Sequence, residues 1–322
     1  MRFVEAIKRC MPGTIAWLYG VKLYRTHKSK ESSHVDTSKG QPYYIIRYNT
    51  KMNAGWTMWE RAILFSCIYA TEKGMLPVVD MCNSRNMYQE EDEFGKVNSW
   101  ENMYEQPCGV AYDEAILSNN YILSDPSEEW IQYLRMRNPR KYNTEYLRAA
   151  FAKFIRLNMK SKEELEQRYE KIMLQSGAAV GAKMVGMVLR GTDYKLYHHP
   201  VQPSPKELAD LAKDAAKRVG ADYYYVATED ASLFAEIKKY LPNDRIISFQ
   251  AGEIENTSGL IGDYIRLEKT AKEASIDYMT VLYMLNKCSC LYGGWSGAMF
   301  VAAWRKTEGF EDYLMINDRG NY

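Results

Sequence analysis

Charged and small polar side chains follow three short apolar segments in the second half of the chain. The three sets lie at residues 190–193, 228–230 and 293–296. Arg190 is a permanent cation whose planar guanidinium can bind two phosphate oxygens at once. The small residues of the third set begin a predicted helix, where backbone N–H groups can approach a phosphate. Residue types alone therefore predict a site for a phosphate-bearing ligand in the C-terminal half.

The second set contains two carboxylates, Glu229 and Asp230. At a strand end they can accept hydrogen bonds from a ribose or from the edge of a guanine base. An aspartate at the start of a helix is also a common N-cap, which accepts hydrogen bonds from the first backbone N–H groups. Both interpretations remain open for Asp230.

Alternating predicted elements position these residues. Strands are predicted at 184–189, 223–228, 245–249 and 288–293, and helices at 204–219, 230–240, 276–287 and 296–304. This alternation is typical of a parallel, doubly wound α/β sheet, which binds ligands at the carboxyl ends of its strands. We therefore expect the three sets to lie close together.

The N-terminal half begins with a βαβ-like pattern. A β-run at 42–48 is followed by a helix at 56–73 and a buried strand at 75–80. The segment 82–105 is predicted to be a long solvated loop because it carries an acidic run, and 143–175 is predicted to be helical. A chain of 322 residues suits two domains. A glycine-containing linker at 176–181 predicts domains at 1–178 and 179–322.

Composition and charge exclude several classes of protein. With 42 basic and 41 acidic residues, the chain is not a nucleic-acid binder that depends on bulk phosphate attraction. The six cysteines are too few and too scattered for a disulfide scaffold, and Cys288 and Cys290 are expected to be buried thiols. The sequence has no Cys/His pairs at zinc spacing, P-loop, GxSxG, HExxH or Asp-x-Asp motif.

The first thirty residues are basic, with seven Lys or Arg and one Glu. Their apolar part, residues 11–21, is too short to cross a membrane. Residues 1–30 can rest on an anionic membrane surface, form a docking segment or form an irregular arm. The expected location is the cytoplasm, with peripheral contact to the inner face of a membrane as one option.

Three segments resemble the motifs of one enzyme family. Residues 188–193, Val-Leu-Arg-Gly-Thr-Asp, resemble the His-x-Arg-Arg-Thr-Asp segment of α-1,6-fucosyltransferases, nodulation fucosyltransferases and, more loosely, protein O-fucosyltransferases. The similarity continues through His199-Pro200 and through 226–233, Val-Ala-Thr-Glu-Asp-Ala-Ser-Leu. Residues 277–296 resemble a final motif made of a helix with an acid, an apolar strand and a serine turn. The resemblance covers about residues 184–305, and residues 98–107 resemble a segment of related bacterial transferases.

The resemblance implies a GT-B fold, with two Rossmann-like domains that face each other across a cleft. Such enzymes hold GDP-fucose on the C-terminal domain and invert the anomeric centre without a metal ion or other cofactor. Arg190 matches the arginine that contacts the donor diphosphate, and Asp230 matches the second acid of an Asp-Asp pair. Asp277 and Ser296 match within a residue or two. The candidate donor-binding residues are Arg190, Thr192, Asp193, Thr228, Glu229, Asp230, Asp277, Gly293, Gly294, Trp295 and Ser296.

The chain departs from the family pattern beside this arginine. Val188 replaces the leading histidine, and Gly191 replaces the second arginine. The glutamate proposed as a base in the family has no counterpart between 194 and 200. The candidate catalytic residues are Arg190, for the leaving phosphate, and His198, His199 and Asp80, as alternative bases.

The predicted function is that of an inverting glycosyltransferase that moves fucose from GDP-fucose to a glycan, lipid-linked or protein acceptor. A GT-B enzyme with another nucleotide sugar, such as one of mannose or xylose, is an alternative. A catalytically inactive nucleotide- or carbohydrate-binding protein is another. Aromatic residues of the N-terminal half can stack on an acceptor glycan or pack in the core; these are Tyr43, Tyr44, Trp56, Trp59, Trp100 and Tyr104.

Overall fold

The computed structural model describes residues 35–48, 54–124, 143–195, 200–250, 265 and 268–316. Within these residues the chain forms two separate sheets, and every strand pair in both is parallel. This arrangement confirms the predicted α/β class. No helix in the described part of the chain is long and apolar enough to span a membrane.

The N-terminal unit has three strands in the order β2-β1-β3. Its elements are β1 (Tyr43–Ile46), α1 (Trp56–Glu72), β2 (Leu76–Val79), α2 (Tyr112–Leu117) and β3 (Tyr121–Leu123). Tyr44 and Ile46 of β1 belong to the apolar core that includes α1, whereas Ile45 packs with Ala115 of α2. The sheet is therefore covered on both faces. Two further helices, α3 (Thr144–Phe154) and α4 (Met159–Gln175), lead to the second unit.

The C-terminal unit has five strands in the order β6-β5-β4-β7-β8. Its strands are β4 (Met184–Val188), β5 (Tyr223–Ala227), β6 (Ile246–Ser248), β7 (Cys290–Gly294) and β8 (Asp312–Ile316). Its helices are α5 (Pro205–Val219), α6 (Ala231–Ile237), α7 (Ala271–Lys287) and α8 (Gly297–Arg305). The chain adds β5 and then β6 on one side of β4, and afterwards adds β7 and β8 on the other side. This is the doubly wound order, and its switch point lies between β4 and β7.

Alternation along β4 explains why helices cover both faces of this sheet. Val185 and Met187 pack in a core with Leu208 of α5, whereas Met184 and Val188 belong to the larger core that contains α7 and α8. The carboxyl ends of β4, β5 and β7 therefore meet at one edge between two helical layers.

The two units share one apolar core. The ring of Phe65 on α1 lies 6.2 Å from that of Trp304 on α8, and the indole N–H of Trp56 donates to the Ser275 hydroxyl of α7 at 2.9 Å. Helix α3 also contacts α8, because the Arg148 Nε donates to the carbonyl of Ala303 at 2.9 Å. The domain boundary at 178 stays a prediction, although helices on its N-terminal side pack against the C-terminal unit.

The prediction of a long solvated loop at 82–105 is wrong, because part of this segment is buried. Trp100 and Tyr104 are fully buried and stacked, with ring centroids 4.1 Å apart. The acidic run has a structural role as well, since the Glu90 carboxylate accepts a hydrogen bond from the backbone N–H of Ala271, the first residue of α7.

Five of the six aromatic acceptor candidates are buried in the core, so they offer no surface to a glycan; these are Tyr44, Trp56, Trp59, Trp100 and Tyr104.

Candidate functional site

A cavity opens at the carboxyl ends of β4, β5 and β6, beside α7. The space between its walls is about 870 Å³ when the open solvent at its mouth is counted. Its walls are mainly apolar, with charged groups in two places: Arg190 and Glu229 follow the strands, Lys269 precedes α7, and Asp277 lies on α7. An apolar cavity with a few convergent polar groups is the usual form of a small-molecule site.

Arg190 is held at this cavity by a carboxylate from the neighbouring strand. Its Nη1 donates to the Oε2 of Glu229 at 3.0 Å, and its guanidinium lies 4.7 Å from the centre of the Tyr194 ring. The side chains of Arg190 and Glu229 are only 18% and 16% exposed. The parallel pairing of β4 with β5 places these two strand ends side by side. The predicted cation is therefore present and fixed in orientation.

Glu229 and Asp230 have mainly structural partners in this state. Glu229 accepts from Arg190 through one oxygen and from the Thr192 hydroxyl, at 2.9 Å, through the other. Asp230 is the N-cap of α6, where it accepts from the backbone N–H groups of Ser232 and Leu233 at 2.9 and 3.1 Å. The structure therefore confirms Asp230 as the N-cap of α6. Contact with a ribose or a base stays a prediction for both residues.

The turn after Arg190 is closely fitted to Asp230. Thr192 has φ = 26°, which is unfavourable for a β-branched residue, and its N–H donates to the Oδ2 of Asp230 at 3.3 Å. A Cβ atom at Gly191 would lie 2.0 Å from the same oxygen. An arginine at position 191 would displace the Asp230 side chain, which explains physically why glycine occurs there. Asp193 follows in the 3-10 turn Thr192–Lys195.

Thr228 lines the cavity and holds Asp230 in place. Its hydroxyl accepts from the backbone N–H of Asp230 at 3.2 Å, and the side chain is buried. A direct role in donor binding stays a prediction for Thr228.

Asp277 lies in the part of the cavity next to the end of β6, two strands from β4, and has three hydrogen-bond donors around it. Its Oδ1 bonds to Nη1 of Arg168 at 3.0 Å, and its Oδ2 bonds to Lys269 at 3.0 Å and to the amide of Gln250 at 2.6 Å. Gln250 has φ = 51°, so a second positive-φ residue borders this site. The sequence did not single out Arg168, Gln250 or Lys269, because each comes from a different element and none belongs to a local motif.

The start of α8 closes the cavity on the side of β7. Ser296 is the N-cap and accepts from the N–H of Met299 at 3.5 Å, while Ala298 of the first turn lines the cavity. The side chain of Trp295 packs edge-on against Phe300 with centroids 5.6 Å apart. The helix start predicted from the sequence is therefore next to the strand end that carries Arg190.

Gly293 and Gly294 are the last residues of β7, and the space beside them is filled. A Cβ atom at Gly294 would lie 2.0 Å from Oε1 of Gln202, and one at Gly293 would lie 3.0 Å from the carbonyl oxygen of Val188. Both glycines are thus required by close packing at the strand end.

A tyrosine links the cavity to the N-terminal unit. The Tyr278 hydroxyl lies 3.0 Å from the Thr57 hydroxyl of α1, and Tyr278 lines the cavity. Burial raises the pKa of Tyr278 to about 12, although nearby Arg190 and the Thr57 hydrogen bond act in the opposite direction. Tyr278 therefore remains protonated at neutral pH. No sequence motif indicated either residue.

Asp80 lies at the end of β2 and is fully buried. Its Oδ2 forms an ion pair with Nε of Arg47, and the amide of Asn83 donates to both carboxylate oxygens at 3.2 and 3.0 Å. In this state the carboxylate is not open to an acceptor hydroxyl, so the structure gives no support for Asp80 as the base. His198 and His199 lie outside the described residues.

The chain matches no protein-family model and no curated protein. Among solved structures it is similar to NodZ α-1,6-fucosyltransferase co-crystallized with GDP, at 15% identity over 78% of this chain and 88% of that chain, with a TM-score of 0.42. It is also similar to a mutant of Arabidopsis thaliana FUT1 in complex with GDP, at 11% identity over 99% of this chain and 78% of that chain, with a TM-score of 0.45. The similarity to POFUT1 in complex with GDP is 9% identity over 87% of this chain and 99% of that chain, with a TM-score of 0.38. These values are too low to establish a fold, substrate or activity for this chain, and the architecture described above rests on its own strand order.

Proposed function

We propose that this protein is an inverting glycosyltransferase of the GT-B type that transfers fucose from GDP-fucose to a glycan or glycoconjugate acceptor. The observation that carries the proposal is the position of Arg190. It lies at the carboxyl end of β4, in a cavity that is also lined by Ala298 of the first turn of α8. This edge of a doubly wound sheet is where nucleotides bind, and a helix start favours a phosphate. The motif resemblance at 188–193 and 226–233 supports the choice of donor.

The chemistry requires stabilisation of a leaving diphosphate. The acceptor oxygen forms a bond to the anomeric carbon while the bond from that carbon to the phosphate oxygen breaks on the opposite face. The electron pair of the broken bond passes to the β-phosphate. Fixed donors at the developing charge are the largest single aid to such a step. Arg190 and the backbone N–H groups of α8 supply them under this proposal.

The acceptor hydroxyl must also lose a proton to a base within hydrogen-bond reach. The base stays a proposal. His198 or His199 suits the task because an unperturbed imidazole titrates near neutrality. Asp80 can act only if its ion pair with Arg47 opens.

The part of the cavity next to the end of β6, where Asp277 lies, suits a nucleobase. The carboxylate of Asp277 can accept from the N–H groups of a guanine edge, and Lys269 or Gln250 can donate to its carbonyl oxygen. The apolar wall between the two polar ends, which includes Phe249 and Val281, can pack on the base and ribose. We propose that the base lies at Asp277 and the diphosphate at Arg190.

A turnover assay tests this function. The protein is incubated with GDP-fucose, GDP-mannose or UDP-xylose and a library of glycan acceptors, and nucleotide release is measured with Arg190→Ala as the control. Acceptor-dependent release of GDP from GDP-fucose, lost in the variant, supports the proposal. Release from UDP-xylose instead would assign another donor, and no release with any donor would favour a nucleotide-binding protein without catalytic activity.

A further inference from the structure

The charges that line the cavity cancel among the described residues. Two cations, Arg190 and Lys269, face it together with two carboxylates, Glu229 and Asp277. Each cation lies 3.0 Å from one of the carboxylates. A nucleoside diphosphate brings several negative charges into this neutral surface. Additional positive charge next to the cavity would therefore stabilise it.

Arg61 of α1 places such a charge at the first turn of α8. Its guanidinium carbon lies 5.0 Å from the centre of the Phe300 ring. Its Nη1 lies 3.7 Å from the position that a Cβ atom would take at Gly297, the first residue of α8. Arg61 is only 6% exposed, so its charge acts in a region of low dielectric. The start of a helix carries partial positive charge, and with a guanidinium beside it this turn favours a multiply charged anion.

Direct contacts join this turn to the part of the cavity lined by Arg190. Thr57 lies one turn before Arg61 on α1, and its hydroxyl is 2.7 Å from the Cβ position at Gly297. The same hydroxyl is 3.0 Å from that of Tyr278, which lines the cavity together with Arg190. Ala298, the residue after Gly297, also lines the cavity. Thr57 and Tyr278 thus connect the part of α1 that carries Arg61 to the cavity that Arg190 lines.

We infer that Arg61 is a second cation for the diphosphate of the nucleotide sugar, and this inference rests on the proposed function. Arg61 belongs to the N-terminal unit, whereas Arg190 belongs to the C-terminal unit. The two units then build the donor site together, and the diphosphate binds where α1 meets α8. A planar guanidinium suits this role because it can bind oxygens of both phosphates.

Equilibrium dialysis with radiolabelled GDP and guanosine tests the inference. Arg61→Gln is expected to weaken GDP binding by about tenfold to a hundredfold, the range for loss of a charge-assisted hydrogen bond. Guanosine has no phosphate, so its affinity should stay as in the wild type. Arg61→Lys should weaken GDP binding by a smaller factor, because it retains the charge and loses the fork. A purely structural role in packing α1 on α8 would not change the ratio of the two affinities.

Arg148→Gln is the matched control, because Arg148 contacts the other end of α8 through the Ala303 carbonyl. It should leave both affinities unchanged. A wild-type protein that binds GDP no more tightly than guanosine would contradict the proposed function itself. A wild-type preference for GDP that is fully retained in the Arg61 variants would contradict only the role of Arg61. Should Arg61→Gln not fold, Arg61→Lys decides, and an unchanged ratio in that variant overturns the inference.

Discussion

Nη1 of Arg190 lies 3.0 Å from Oε2 of Glu229, and this ion pair joins the carboxyl ends of β4 and β5. The second oxygen of Glu229 accepts from the Thr192 hydroxyl, so the turn after β4 is bound to the end of β5 at two points. The pair fixes the orientation of Arg190 and lowers the local positive charge. A fixed orientation of Arg190 favours anion binding in the cavity, whereas the lowered positive charge weakens it.

Removal of Arg190 should impair the chemical step. Arg190→Ala is expected to raise the barrier by about 3–4 kcal/mol, the magnitude observed when a fixed donor to a developing oxyanion is lost. Arg190→Lys should recover part of that loss, because a point charge cannot form the forked contact. Steady-state kinetics with saturating donor measure both effects. A lysine variant with the wild-type kcat would show that the fork is unnecessary.

Gly191 should not tolerate a side chain while Asp230 is present. Gly191→Ala places a Cβ atom 2.0 Å from Oδ2 of Asp230, so we expect a loss of about 1–3 kcal/mol in the free energy of unfolding. Asp230→Ala removes the N-cap of α6 and should cost about 0.5–2 kcal/mol. The double variant removes the clashes with Oδ2 and Cγ and keeps only the contact with the Cβ atom of residue 230 at 2.7 Å, so its loss should be smaller than the sum of the two. Urea denaturation measures all three, and strict additivity would show that the two side chains do not conflict.

The buried pair of Glu60 and Arg305 should couple α1 to α8. Glu60 is fully buried, accepts from the Tyr104 hydroxyl at 2.6 Å and pairs with Nη2 of Arg305. Arg305→Met leaves a buried carboxylate without its cation and should cost about 3–5 kcal/mol. Glu60→Leu/Arg305→Met removes both charges and should recover most of that loss. A double variant as unstable as Arg305→Met would contradict this explanation.

The same pair predicts a pH dependence of stability. Burial raises the pKa of Glu60, and Arg305 and Tyr104 offset this only in part. Between the usual glutamate pKa and the raised one, the folded state binds more protons than the unfolded state. The contribution of Glu60 to the free energy of unfolding should therefore fall as the pH rises through this window. Denaturation at several pH values should show this fall in the wild type, and the difference between wild type and the double variant isolates it.

Activity should persist in EDTA. The sequence has no Asp-x-Asp motif, and under the proposed mechanism Arg190 and the start of α8 neutralise the leaving diphosphate. Turnover with and without EDTA measures this directly. Complete loss of activity that Mg²⁺ or Mn²⁺ restores would overturn the proposed mechanism.

The sequence predicted the central strands of the C-terminal sheet because they are apolar runs between clear turn and capping signals. The choice of Arg190, Glu229 and Gly294 as site residues followed from the rule that parallel sheets bind ligands at the carboxyl ends of their strands. Strands β3 and β8 were missed, since β3 has three residues and both are only partly buried. Helix α7 begins at Ala271 rather than at 276, because the capping box of Thr270 and Glu273 was not recognised.

The remaining site residues could not be predicted from local patterns. Arg61 and Thr57 lie on α1, and Arg168 lies on α4, far along the chain from the strand ends. Only the packing of α1 and α4 against α7 and α8 brings these side chains close to residues of the cavity wall. A buried arginine on an amphipathic helix gives no sequence signal that separates it from one on a solvated face.

Calorimetric titration of the protein with GDP tests the central claim most directly, with UDP as the comparison and Arg190→Ala as the variant. The proposed site predicts one GDP molecule per chain, weaker binding of UDP, and at least a tenfold loss of GDP affinity in Arg190→Ala. The absence of GDP binding, or GDP binding that is equally strong without Arg190, would contradict the assignment of the cavity as a donor site.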